Sequence, residues 1–105
     1  MDQQHAAQAV TDKGKVFVFD AAECLVNYRL AHPKQEYAYL LVNDYQQPGV
    51  LMPAKESSFL ISEAIPSPMG ANLSAFESQE KAQQVQAAKG GEIYQWDALP
   101  NALHP

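Results

Sequence analysis

One pattern occurs twice in this chain and constrains its fold more than any other feature. Phe19-Asp20 joins a β-branched and aromatic run to a helix-like segment, and Phe76-Glu77 does the same in the second half. Each half reads as strand, strand, helix, strand. Because either half alone is too small to bury its own sheet, we predict an α+β fold of duplicated ββαβ units, with two small sheets that each carry one helix.

The duplicated pattern divides the 105 residues into four segments. Two prolines and a glycine mark a connector between the units, and two further prolines mark an irregular, frayed tail. The predicted boundaries are residues 1–45 for the first ββαβ unit, 46–57 for the connector, 58–99 for the second ββαβ unit and 100–105 for the tail.

Local signals place the ends of both helices. Asp20 as the N-cap and Glu23 three residues later form the pattern of a capping box at the start of the first helix. A second, Gln- and Ala-rich helix is predicted over residues 79–89, where Gly90-Gly91 ends it. Apolar positions on the predicted faces define one core shared by both halves, made of Phe19, Leu25, Tyr28, Leu40, Phe76, Val85, Ile93 and Trp96.

Charge and composition exclude several classes of function. Seven basic residues against twelve acidic ones give a net charge of -5, which argues against a nucleic-acid partner because phosphate binding needs a basic face. A single cysteine excludes an intrachain disulfide and a zinc site made of cysteines alone. His5, His32 and His104 form no pair at metal-ligand spacing, so each is expected to be a solvated surface residue. The sequence shows no nucleophile elbow, no phosphate-binding glycine loop and no pair of catalytic carboxylates, so we predict that the protein is not an enzyme.

Two residues with soft sulfur donors are the candidate metal ligands. Met69 lies between Pro68 and Gly70, where a thioether has little packing to do, and thioethers select Cu(I) over harder cations. Cys24 falls at the end of the first predicted helical turn, where the helix dipole favours a thiolate although neighbouring carboxylates oppose it. Composition alone favours packing roles for both, with Met69 filling a gap between the halves and Cys24 acting as a small buried hydrophobe.

Several short motifs recur together over nearly the whole chain. In the second half they are Ser67-Pro68-Met69-Gly70, Ala75-Phe76, Ala82 and Gly90-Gly91-Glu92-Ile93, and in the first half Gly14-Lys15-Val16-Phe17, Phe19-Asp20 and Glu23-Cys24. In this combination, over residues 6–99, the sequence resembles the NosL family, which are accessory lipoproteins of nitrous oxide reductase maturation associated with copper delivery. The resemblance implies the same duplicated ββαβ arrangement.

The resemblance also implies a soft Cu(I) site. Family members carry, ahead of the first strand, a lipidated export signal and a copper motif that contains Cys and Met, and the expectation here is that this chain lacks both. Only Met69 matches a residue that the family implicates in metal binding. Cys24 is not the family's cysteine, because it belongs to the helix after the first hairpin, but it is a thiol that can join Met69 if the fold brings them together.

By resemblance, the expected function is carriage of Cu(I) without catalysis. The expected partner is a copper-receiving protein or a membrane maturation complex, and the expected compartment is the periplasm or cell envelope. Contact with the membrane would be made only through an upstream lipid anchor. The alternative is that the fold serves as a metal-free protein-interaction module of a maturation complex.

Overall fold

The computed structural model describes residues 4–67 and 70–104, which form two antiparallel sheets and three helices. The strands are β1 (Ala7–Thr11), β2 (Val16–Phe19), β3 (Tyr37–Asn43), β4 (Leu51–Pro53), β5 (Ser58–Ile61), β6 (Leu73–Phe76) and β7 (Glu92–Gln95). The helices are α1 (Ala22–Ala31), α2 (Gln79–Lys89) and α3 (Leu99–Leu103). None of the helices in these described segments has both the length and the apolar character needed to cross a membrane.

The predicted α+β fold of duplicated units is confirmed. The first sheet has the order β2-β1-β3-β4 and the second has the order β6-β5-β7, so the first strand of each unit lies between the other two. Helix α1 packs on the first sheet and α2 on the second. The sheets are joined where Asp44 pairs with Ala75 across the two halves.

Strand β1 shows why the first unit folds as it does. Its burial alternates, with Ala7, Ala9 and Thr11 buried, as expected for a strand with one face on the core. Ala7 and Ala9 belong to the larger core cluster, and α1 packs against β1. The opposite face carries apolar side chains that remain exposed, including Val16, Val18 and Tyr39.

The connector and the start of α1 differ from the prediction. Residues 51–56 are not irregular, because they contain β4 and a turn of 3₁₀ helix at Ala54–Glu56. The predicted capping box is wrong: α1 begins after Ala21, whose side chain makes no capping hydrogen bond. The carboxylate of Glu23 is turned into the protein instead, where long-range donors compete successfully with the local backbone.

The core forms two clusters rather than one. Leu25, Leu40 and Trp96 lie in the larger cluster, to which both sheets, α1 and the start of α3 contribute. Phe76 lies in a smaller cluster with Leu60, and the partly buried members of that cluster include Val85 and Ile93. The predicted core side chains are thus buried or partly buried. The larger cluster is shared by both halves, because it also contains Phe59 of β5 with Leu73 and Ala75 of β6. The smaller cluster is built mainly by the second sheet and α2.

The predicted frayed tail is wrong for most of its length, because α3 occupies it. Pro100 stands in the first turn of α3, where a missing N–H group costs nothing. Leu99 is fully buried, and Leu103 packs against the larger cluster beside α1. This short helix is stabilised by tertiary packing that the sequence pattern does not reveal.

Deleting residues 100–105 is expected to leave a cooperatively folding protein that is less stable by about 1–2 kcal/mol. The loss combines a partly buried leucine with one side-chain hydrogen bond. Denaturant titration of the full and truncated chains measures it, with Leu103→Ala as the variant that removes only the apolar contact. Equal stabilities of the full and truncated chains would contradict a packing role for α3.

Candidate functional site

Cys24 lies in the first turn of α1, beside a cleft of about 180 Å³. The thiol is partly exposed and forms no disulfide. Residues from both halves of the chain line the cleft, namely Glu23, Cys24, Asn27, Ala71, Leu103 and His104. The cleft is therefore assembled from α1, the segment before β6 and the end of α3.

The carboxylate of Glu23 joins α1 to the segment before β6. Its Oε2 atom accepts hydrogen bonds from the Ser67 hydroxyl and from the Ala71 backbone N–H, each at 2.9 Å. Only 4% of Glu23 is exposed, and its Oε1 atom has no hydrogen-bond partner among residues 4–67 and 70–104. A buried carboxylate thus ties together residues that are 44 and 48 positions apart in the chain.

Hydrogen bonds also connect Ser67 to the residues that precede β6. The Ser67 hydroxyl also accepts the Asn72 N–H at 3.0 Å, and the Ser67 carbonyl accepts the Gly70 N–H at 3.1 Å. Gly70 and Asn72 both have positive φ values, which glycine and asparagine tolerate best. The predicted ligand Met69 and its neighbour Pro68 lie outside the described residues.

The pKa of the Cys24 thiol is raised, contrary to the effect expected from the helix dipole. Burial contributes most, and the negative charge of Glu23 adds to it, with a smaller contribution from Asp20. A backbone hydrogen bond from Ala21 acts in the opposite direction and does not compensate. The thiol is therefore protonated at neutral pH, and a metal ion that binds sulfur there must displace the proton.

His104 lines the cleft, although no sequence pattern singles it out. Its Nε2 atom lies 2.5 Å from Asn27 Oδ1, and because an amide oxygen only accepts, Nε2 must donate. The only useful sequence signal would have been a helix predicted for the last residues, because α3 places the imidazole of His104 beside α1.

The other two histidines lie away from the cleft. His5 is buried, contrary to the prediction of a solvated residue, with its Nε2 atom 3.2 Å from the Ser74 hydroxyl. His32 is exposed and stacks on Tyr28 at a ring distance of 4.2 Å. Within the described parts of the chain, no three His, Cys, Asp or Glu side chains are grouped so as to hold a metal ion.

Comparison with known proteins agrees with this architecture. The family model NosL matches residues 2–104, nearly the whole chain. The crystal structure of the copper chaperone NosL from Shewanella denitrificans superposes with a TM-score of 0.75 at 18% sequence identity, covering 90% of this chain and 78% of that one. No curated protein matches the sequence. At this identity the structural match establishes the fold, and the family match over nearly the full length establishes the relationship: the chain belongs to the NosL family.

Proposed function

We propose that this protein is a carrier that binds Cu(I) in the cleft beside Cys24 and delivers it for nitrous oxide reductase maturation. Family membership supports a copper-related role, since a NosL protein of the same fold is described as a copper chaperone. The observation that carries the proposal is the position of Cys24, whose thiol shares a cleft with Ala71. Ala71 is two residues from Met69 in the sequence, and this short separation supports pairing Met69 with Cys24 as ligands.

The proposed ligands are the Cys24 thiolate and the Met69 thioether. Both are soft donors, which favour Cu(I) over the harder cations that carboxylates and carbonyls select. Met69 is two residues from Ser67 as well as from Ala71, and a two-residue segment spans at most about 7 Å. The chain on either side of Met69 is therefore anchored within reach of the first turn of α1.

Carriage requires a site that both holds and releases the ion. When Cu(I) binds Cys24, a Cu–S bond forms and the thiol proton passes to solvent. The partial exposure of Cys24 leaves room for a donor of the receiving protein to enter before the last bond to sulfur breaks. Such an exchange changes no oxidation state, and it needs no catalytic side chain.

The proposed partner is a copper-receiving protein or a membrane maturation complex, and the proposed compartment is the periplasm or cell envelope. Both follow from family membership. The net charge of -5 fits a partner that is not a nucleic acid.

Replacing either proposed ligand is expected to weaken Cu(I) binding by tenfold or more. An anaerobic competition titration with a Cu(I) chelator, under reducing conditions, compares wild type with Met69→Leu and Cys24→Ser. Leucine keeps the volume of methionine, so a loss reports ligation rather than packing. Met52→Leu is the matched control, because Met52 is buried in β4 and does not line the cleft.

Binding by Met69→Leu that equals wild type would remove Met69 from the ligand set. Binding by both variants that equals wild type would refute the copper site. The metal-free interaction module would then be the better function, and one observation already favours it as the second candidate. The outer face of the first sheet exposes Val16, Val18 and Tyr39, an apolar surface of the kind that marks protein-interaction sites.

A further inference from the structure

We propose that Glu23 is the positioning residue of this copper site. Its carboxylate does not bind the metal; it holds residues 67 and 71 against the first turn of α1, and so fixes the distance between Cys24 and the chain on both sides of Met69. The inference rests on the proposed function, because the residues that Glu23 holds, Ser67 and Ala71, flank the proposed ligand Met69 in the sequence.

The geometry shows how a single side chain sets this distance. Glu23 and Cys24 are consecutive residues in the first turn of α1, so the carboxylate and the thiol share one rigid backbone. Both hydrogen bonds from the facing segment converge on the same oxygen at 2.9 Å. Ser67 extends this constraint to Asn72, because its hydroxyl also accepts the Asn72 N–H.

The energetics favour positioning over a purely structural role. Burying a carboxylate removes it from water, and a buried charge is often no more stabilising than a well-packed apolar side chain. Here one of its two oxygens has no partner in the described part of the chain. The two hydrogen bonds that the carboxylate accepts from Ser67 and Ala71 are directional, so they fix where these two residues lie relative to α1.

The chemistry also separates Glu23 from the ligands. A carboxylate is a hard donor and is poorly suited to Cu(I). The oxygen that faces residues 67 and 71 already accepts two hydrogen bonds. In metal sites, residues that orient the ligands through hydrogen bonds typically change metal affinity by about 10–100-fold when they are replaced.

Three variants test the assignment in the Cu(I) competition titration described above. Glu23→Ala removes both hydrogen bonds and is expected to weaken Cu(I) binding by about 10–100-fold. Glu23→Gln is expected to bind Cu(I) nearly as wild type does, because an amide oxygen has two lone pairs and can accept both donors. Glu63→Ala is the control, since Glu63 is an exposed residue of the same type and is expected to change nothing.

A copper-free measurement accompanies the titration. Amide hydrogen exchange at Ala71 reports the hydrogen bond to Glu23 directly. Exchange is expected to be slow in wild type and Glu23→Gln and fast in Glu23→Ala. If Glu23→Ala does not fold, Ser67→Ala removes the facing hydroxyl without altering α1, and it is expected to weaken Cu(I) binding in the same direction.

Each outcome bears on one of the two proposals. Fast Ala71 exchange in Glu23→Ala together with wild-type Cu(I) affinity would overturn the positioning role and leave the copper site standing. Binding by Glu23→Gln as weak as that of Glu23→Ala would also overturn it, because charge rather than geometry would then matter. Cu(I) binding that is insensitive to Met69→Leu and Cys24→Ser would instead refute the copper site on which the inference rests.

Discussion

Replacing Phe76 by alanine is expected to lower the free energy of unfolding by about 3–5 kcal/mol. The ring is fully buried at the end of β6, in the smaller cluster with Leu60, Ile65 and Ala82. It also lies 5.8 Å from the ring of Tyr45, which follows the first sheet. A cavity at this point removes contacts within the second unit and contacts between the units, so the surrounding structure has little freedom to collapse into it.

Denaturant titration monitored by far-ultraviolet circular dichroism measures the loss. The matched control is Tyr39→Ala, because Tyr39 is an aromatic residue of a strand with 63% of its surface exposed. Its replacement is expected to cost well under the loss at Phe76, since little area is buried there. A change below about 1 kcal/mol in Phe76→Ala would mean that the smaller cluster can repack around the missing ring.

Helix α2 shows that the ends of a helix can be predicted from the residues close to them. The predicted range of α2, residues 79–89, agrees with the structure at both ends. Ser78 caps the helix by accepting the Lys81 N–H, and Gly90 ends it with a positive φ value. Both signals act within four residues of the helix, so they can be read without knowledge of the tertiary fold.

Glu23 illustrates the opposite case. Its spacing from Asp20 satisfies a local capping pattern, yet its partners are Ser67 and Ala71, more than forty residues away. Nothing in a single sequence ranks such distant donors above nearby backbone N–H groups. The local pattern therefore predicts a capping box at the start of α1, and the tertiary structure overrides it.

The residues of the candidate site also differ in whether the sequence alone can identify them. Cys24 can be selected from the sequence, because a thiol at the start of a helix is chemically distinctive. Its cleft neighbours Asn27, Ala71 and His104 have no distinctive side-chain chemistry or spacing in the sequence. They come together only because α3 and the segment before β6 pack against α1. The direction of the Cys24 pKa shift depends on this packing too, since burial is its main cause.

The glycine pair at the end of α2 belongs to the motifs that carry the family resemblance, and the structure gives it a steric explanation. Both residues have positive φ values, 79° at Gly90 and 104° at Gly91. A Cβ atom built on Gly90 would meet nothing within 4 Å. A Cβ atom on Gly91 would lie 2.3 Å from the Ile61 carbonyl oxygen and 2.8 Å from the Ser62 Cβ atom. Gly91 therefore lets the chain enter β7 in close contact with the end of β5.

Replacing the two glycines separately by alanine is expected to give unequal losses of stability. Gly90→Ala should cost about 1–3 kcal/mol, from backbone strain alone. Gly91→Ala should exceed that loss by a further 1–3 kcal/mol, approximately, because the overlap with Ile61 adds to the strain. Denaturant titration of both variants measures the difference.

Neither glycine lines the cleft beside Cys24, so Gly90→Ala is also expected to bind Cu(I) as wild type does. Equal losses of stability would mean that β5 and β7 separate slightly to admit a methyl group. Backbone strain alone would then account for the effects of both substitutions.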